Sequence, residues 1–322
     1  MNNKFILTPG VSRVIKSLEY LKDSDYIESG DCNMVLTGET GSGKSALITY
    51  FKNKYPPIIH QEFTEIPVVY VLLQSVKGVK EFSIETLKAI QDPQQGRKIR
   101  NIHELRERLK TLVKTCKTKI IVFDEVQVTV QNNRVDRLPT IADWFKDLMN
   151  DLKIPIVLVG MPWTIDFVES NSQLSSRISF RFNLSGYNVS ENFTDFRKLL
   201  RQFSIDYCLF PEVDLSDKDL SLRLYSYTKG SMRSLSSLIA ICVSKLSDKN
   251  KNKLMKLFAL ELRVKGVSDE KNNFLVGIKE LEFFEIKQTT SWKFEEKPYK
   301  VKMVPPLYKK YKYIDGEFIS YD

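Results

Sequence analysis

Histidine and cysteine are scarce in this chain of 322 residues, with two of the first and four of the second. Cys32, Cys116, Cys208 and Cys242 lie far apart and form no Cys-x-x-Cys pair, which argues against a structural zinc site. Reduced thiols in a cytoplasmic protein are the expectation. No stretch approaches the roughly 20 uninterrupted apolar residues of a membrane helix, so no membrane partner is expected. The first nine residues, Met-Asn-Asn-Lys-Phe-Ile-Leu-Thr-Pro, hold neither a long apolar run nor a small-residue cleavage site. No secretion signal is expected from them. Internal repeats are absent as well.

What is present is the composition of a folded soluble protein, 42% hydrophobic and 28% charged. The length suits one large or two small globular units. The net charge of +9 favours a polyanionic partner, although charge alone is a weak signal.

Short apolar runs alternate with helical periodicity through the first half. Met34 to Gly38 and Pro67 to Leu73 read as buried strands, and Lys119 to Asp124, Pro155 to Gly160 and Phe180 to Leu184 as three further strands. Ser45 to Lys54 reads as a helix with Ala46, Leu47, Tyr50 and Phe51 inward. Ile99 to Cys116 and Ile141 to Leu152 read as two more. Continuous apolar strands alternating with helices imply an α/β fold, a parallel five-stranded sheet covered on both faces. After Ser185 the texture changes. Glu191 to Tyr207, Asp217 to Thr228, Met232 to Leu246 and Lys251 to Val264 read as helices with no strand between them. The expected division is an α/β domain over 1–186, a helical domain over 187–268 and a C-terminal extension over 269–322.

Two motifs carry chemistry. Gly38-Glu39-Thr40-Gly41-Ser42-Gly43-Lys44-Ser45 matches G-x-x-x-x-G-K-[ST], directly after a strand and opening a helix. In such a loop several backbone N–H groups point at one anion, and the helix N-terminus adds its positive dipole end. Lys44 is expected to reach the β- and γ-phosphates of a nucleoside triphosphate, with Ser45 supplying a hydroxyl to magnesium. The second motif is Ile120-Ile-Val-Phe-Asp124-Glu125, about 80 residues later. A parallel strand delivers its last residues to the carboxyl edge of the sheet, where ligands bind. Asp124 is expected to hold Mg2+ and Glu125 to act as general base on the attacking water.

In the order of these parts the chain resembles an AAA+ ATPase. More narrowly it is similar to the TnsC/TniB transposition regulators, through Thr37 to Ala46, Ile120 to Val126, Ile154 to Gly160, and Asn171-Ser-Gln-Leu-Ser-Ser-Arg177. The likeness spans roughly residues 1–265. It implies a P-loop AAA+ fold with a helical lid and ATP–Mg2+ held by Gly38 to Ala46. It implies that Arg177 acts as an arginine finger across a subunit interface, and that Arg233, in Lys229-Gly-Ser-Met-Arg233, senses the γ-phosphate from the lid. A homo-oligomer, ring or helical filament, on double-stranded DNA without sequence preference is implied too. The implied partners are a TnsB-like transposase, with or without TnsA, and a TniQ-type or CRISPR-associated targeting complex, in a bacterial cytoplasm. One departure stands out. Where such proteins place a polar residue after the fourth strand, this chain reads Gly160-Met161-Pro162-Trp163-Thr164, so slow hydrolysis is expected.

Phosphate-tracking contacts need basic side chains without base readout. Loops after the second and third strands offer Lys77 and Lys80, and Arg134 and Arg137. Arg97, Lys98 and Arg100 form a further cluster. The tail from Lys297 to Tyr313 has six lysines, four tyrosines and no acid, and Pro305-Pro306 blocks a helix there. Transposase docking, DNA contact and plain packing all fit it. Two other functions share the phosphate-site residues: a replication or helicase-loading ATPase, and an ATP-binding scaffold with little hydrolysis.

Overall fold

The computed structural model describes residues 8–24, 32–74, 78–96, 99, 101–128, 138–187, 189–207, 214–228 and 230–244, together with strand segments between 284 and 321. The strands of the main sheet are β1 (Met34–Thr37), β4 (Val68–Leu72), β5 (Ile120–Asp124), β6 (Ile156–Gly160) and β7 (Phe180–Asn183). Every pairing is parallel, in the order β4-β5-β6-β1-β7. Alternate side chains go to opposite faces. Val35, Val69, Val71, Ile121, Phe123, Ile156 and Leu158 pack on one side with α3 (Val79–Ala89), α4 (Ile102–Thr115) and α5 (Leu138–Leu152). Met34, Leu36, Val68, Ile120, Val122, Val157 and Val159 pack on the other with α1 (Pro9–Asp23) and α2 (Lys44–Lys54). Burial on both faces is why β1, β5 and β6 read as near-continuous apolar runs, whereas β7 at the edge of the sheet alternates half-buried phenylalanines with exposed Arg181 and Asn183.

The helix starts are set locally. Thr8 accepts from the Val11 N–H at 3.3 Å and Pro9 opens α1, where its missing N–H costs nothing. Asn101 caps α4 by accepting from the His103 N–H at 2.9 Å. The face of α2 departs from the expected one. Its buried stripe is Lys44, Leu47, Ile48 and Phe51, whereas Ala46 is exposed and Tyr50 only half-buried. Spacings of three, four and seven place those four on one side, and Ala46 falls off that stripe.

Two short strands, β2 (Ile58–Ile59) and β3 (Thr64–Glu65), form a hairpin between α2 and β4. Short helices α6 (Thr164–Glu169) and α7 (Ser172–Ser175) lead from β6 towards β7. Beyond the sheet come α8 (Val189–Asp206), α9 (Lys218–Thr228) and α10 (Met232–Ser244). The fourth expected helix, 251–264, lies outside the described residues. The C-terminal segments are antiparallel strands: β8 (Phe284–Lys287), β11 (Tyr308–Ile314) and β12 (Glu317–Tyr321) in one sheet, β9 (Trp292–Phe294) and β10 (Val301–Met303) in another. Among the described residues no helix is long and apolar enough to cross a membrane.

Asn33 ties the amino edge of the sheet together. Its side chain accepts from the Ile156 N–H and donates to the Arg177 carbonyl oxygen, both at 2.9 Å. Asn33 thus joins the start of β6 to the segment before β7, and at the opposite, carboxyl edge of the sheet Gly38, Asp124 and Gly160 emerge.

Candidate nucleotide site

The loop from Gly38 to Gly43 joins β1 to α2 at that carboxyl edge. Gly41 and Gly43 stand at φ +80° and +99°, left-handed conformations that an L side chain resists. Gly43 caps α2 with no side-chain hydrogen bond, so no side chain competes for the first N–H groups of the helix. Lys44, 8% exposed, turns its ammonium back over the loop and donates to the carbonyl oxygens of Gly38 at 2.6 Å and Glu39 at 2.9 Å. Burial pushes the Lys44 pKa down, while Asp124, Glu125 and Glu39 oppose that shift and Arg233 adds to it. The Ser42 hydroxyl is buried and has no hydrogen-bond partner among the described residues.

Beside the loop, β5 delivers Asp124 fully buried. One Asp124 oxygen accepts from the Tyr70 hydroxyl at 2.8 Å and the other from the Glu125 N–H at 2.8 Å. Burial first, then the Asp124 charge, raises the Tyr70 phenol well above its ordinary value, so it stays a donor. Glu125 sits at φ +63°, a strained position for a non-glycine residue at the strand end. Its carboxylate accepts from the Gln127 side-chain amide.

After β6, the position expected to be polar is occupied by Met161. Its sulfur accepts from the Thr40 hydroxyl of the loop at 3.4 Å, and its N–H donates to Gln127 Oε1 at 3.2 Å. Thr164 is fully buried at the start of α6, and its hydroxyl has no hydrogen-bond partner among the described residues. Neither Tyr70 nor Gln127 was among the expected site residues. Tyr70 reads as one more large residue in an apolar strand, and Gln127 as a polar residue in a turn.

The two arginines are placed at opposite edges. Arg233 lies in the first turn of α10, and its backbone N–H donates to the Gly41 carbonyl oxygen at 3.2 Å, which puts it against the phosphate loop. Arg177 precedes β7 at the amino edge. Its guanidinium donates to Asn150 Oδ1 at 2.9 Å and to the Gln173 carbonyl oxygen at 2.7 Å. The length of β1 separates it from Gly38, on the order of 15 Å at a strand's rise.

The donor set fits a triphosphate with magnesium. Ser45 and Asp124 would offer one hydroxyl and one carboxylate oxygen, donors of the kind that a hard cation keeping most of its shell from water and phosphate would take. Among the described residues there is no group of three or more His, Cys, Asp and Glu able to hold a metal by themselves. Of the basic candidates for nucleic acid, Lys80 is exposed but lies in the first turn of α3, because the loop ends at Gly78. Lys77, Arg97, Lys98, Arg100, Arg134 and Arg137 lie outside the described residues.

Comparison with solved structures returns AAA+ folds at low identity. The ORC1 protein of Aeropyrum pernix in complex with DNA superposes with a TM-score of 0.53 at 15% identity, covering 81% of this chain and 66% of that one. The ORC2 protein of the same organism, in its ADPNP-ADP complexes, gives a TM-score of 0.50 at 13% identity, over 80% of this chain and 70% of its own. A comparison with curated proteins finds no match. The family model described as bacterial TniB protein matches residues 1–187. With that match over more than half its length, and with the P-loop AAA+ fold, the chain belongs to the TniB family.

Proposed function

We propose that this protein is an ATP-dependent regulator of DNA transposition, which oligomerises on double-stranded DNA and couples a target-selection complex to a transposase. The transposition reading rests on the TniB family. The ATPase reading is carried by one observation: Lys44 and the backbone of Arg233 bond to one loop at the carboxyl edge of a parallel sheet, and Asp124 and Glu125 lie near enough to act on the Lys44 charge. In this reading the loop amides and Lys44 would hold the β- and γ-phosphates, and Ser45 with Asp124 would hold a magnesium ion, whose charge would offset that of the phosphates. Glu125 takes the proton of the attacking water.

The placement of Arg177 supports assembly. It lies at the far edge from its own loop, so it serves a phosphate only in a neighbouring copy, and each site is complete only in an oligomer. The described basic residue Lys80 and the net charge of +9 support contact with DNA phosphates. ORC1 of A. pernix, of like fold, is a complex with DNA. A TnsB-like transposase and a TniQ-type or CRISPR-associated complex are the partners this reading names. A helicase-loading ATPase has the same phosphate site, and the family match favours transposition over it.

Mixing two inactive variants tests the reading. Lys44→Ala abolishes ATP binding, and Arg177→Ala lowers turnover on the order of 10³-fold while keeping ATP affinity. Combined on DNA, they recover hydrolysis, because the intact Arg177 of one variant faces the intact loop of the other. Full ATP affinity in Lys44→Ala overturns the nucleotide site. A mixture that stays inactive overturns the shared site. A second reading, a scaffold that binds ATP with little turnover, is favoured by Met161 and Pro162 after β6. It requires Glu125→Gln to leave phosphate release unchanged.

A further inference from the structure

The side-chain amide of Gln127 is used at both ends. It donates to the Glu125 carboxylate and accepts the Met161 N–H at 3.2 Å. The residue is only 6% exposed, and a buried amide is tolerated only when bonded. Turned over, it would set its carbonyl oxygen against the carboxylate and its NH₂ against the Met161 N–H, so the partners dictate one orientation. The surroundings make room for it. A side chain at Gly160 would meet Gln127 Oε1 at 2.8 Å and collide with the Thr164 hydroxyl. On its other side Met161 is in contact with Thr40 of the phosphate loop. One continuous path therefore runs from Thr40 through Met161 and Gln127 to Glu125, across three separate segments of the carboxyl edge.

Resting on the ATPase reading above, we infer that Gln127 is the positioning residue for Glu125. It supplies, from the turn after β5, the polar bridge that Met161 and Pro162 do not supply after β6. A carboxylate at a strained strand end has several orientations open to it, and a bond to one oxygen selects one while leaving the other oxygen for water. Linking the same amide to the backbone beside the phosphate loop makes that orientation follow the position of the loop.

The test uses the full chain on DNA with ATP and magnesium. Gln127→Met keeps length and loses both hydrogen-bonding ends. It is expected to lower kcat about tenfold or more, as misplaced catalytic groups do, with ATP affinity unchanged. Hydrogen exchange at the Met161 amide speeds up in the same variant, a signal helped by the absence of an amide hydrogen on Pro162. In a Glu125→Gln background the same change is expected to add nothing to the loss, since the two residues act as a unit. A merely structural role would weaken ATP binding too and would cost as much in either background. If Gln127→Met does not fold, Gln127→Asn, one methylene too short to span both partners, must show the same split. A kcat at or above the unmutated value in the variant overturns the positioning role alone. Absence of turnover in the unmutated protein overturns the ATPase reading together with it.

Discussion

The backbone N–H of Arg233 and the carbonyl oxygen of Gly41 are hydrogen-bonded at 3.2 Å, so the first turn of α10 is anchored on the phosphate loop. The contact is close at Gly41 itself. A side chain at Gly41 would lie 2.9 Å from Ser231 Oγ and 3.2 Å from Arg233 Cβ. Whatever displaces the loop also displaces the segment that carries Arg233.

Gly41→Ala exploits that closeness. At φ +80° an alanine costs about 1–2 kcal/mol, and its methyl group pushes on Ser231 and Arg233 as well. ATP affinity, read with a fluorescent analogue, is expected to fall about tenfold or more, which corresponds to at least about 1.4 kcal/mol. Unchanged affinity would show that the α10 contact does not matter to the nucleotide.

Tyr70→Phe removes the only described side-chain donor to Asp124, and leaves a fully buried carboxylate oxygen without that bond. Urea unfolding should register a loss of about 1–3 kcal/mol, the cost of an unsatisfied buried acceptor. In an Asp124→Ala background the same change should cost little, since the acceptor is already gone. Equal losses in both backgrounds would assign the effect to packing of the ring instead.

The parts of this molecule legible in its sequence are those where one residue type serves one local need. Ile120 to Phe123 announces a doubly covered strand because both of its faces are apolar. Gly41, Gly43 and Lys44 announce a phosphate loop because their spacing encodes backbone shape. The inner face of α2 was harder to read, since Ala46 and Ile48 are both apolar and only packing against α1 and the sheet separates them. Helix α1, with its stripe of Val11, Val14, Ile15, Leu18 and Leu21, was not among the expected elements although Thr8 and Pro9 signal its start. The contacts of Tyr70 and Gln127 were not legible at all. Tyr70 meets Asp124 and Gln127 meets Met161 only after the sheet brings distant segments to one edge, and spacing along the chain carries no trace of that.

Asp92 organises the segment that precedes the basic cluster Arg97, Lys98 and Arg100. Its buried carboxylate accepts from the guanidinium of Arg108, with Nε at 2.8 Å, and from the N–H groups of Gln94 and Gly96, each at 3.1 Å. The Arg108 bond, helped by those two N–H groups and opposed by burial, holds the Asp92 carboxyl below the usual carboxylate range. A folded-state value below the unfolded one means that the ionised form stabilises the fold. That contribution is present above the ordinary value of 3.8 and is lost as pH falls through the depressed one. Asp92→Asn should therefore lower stability at pH 7 by about 2 kcal/mol, the scale of a hydrogen bond to a charged group. The difference between the two proteins in urea unfolding should shrink as the pH is taken below 3.8 and through the depressed folded-state value, where the unmutated carboxyl becomes protonated as well. A difference that persists unchanged in acid would mean that the loop depends on the shape of Asp92 and not on its ionisation.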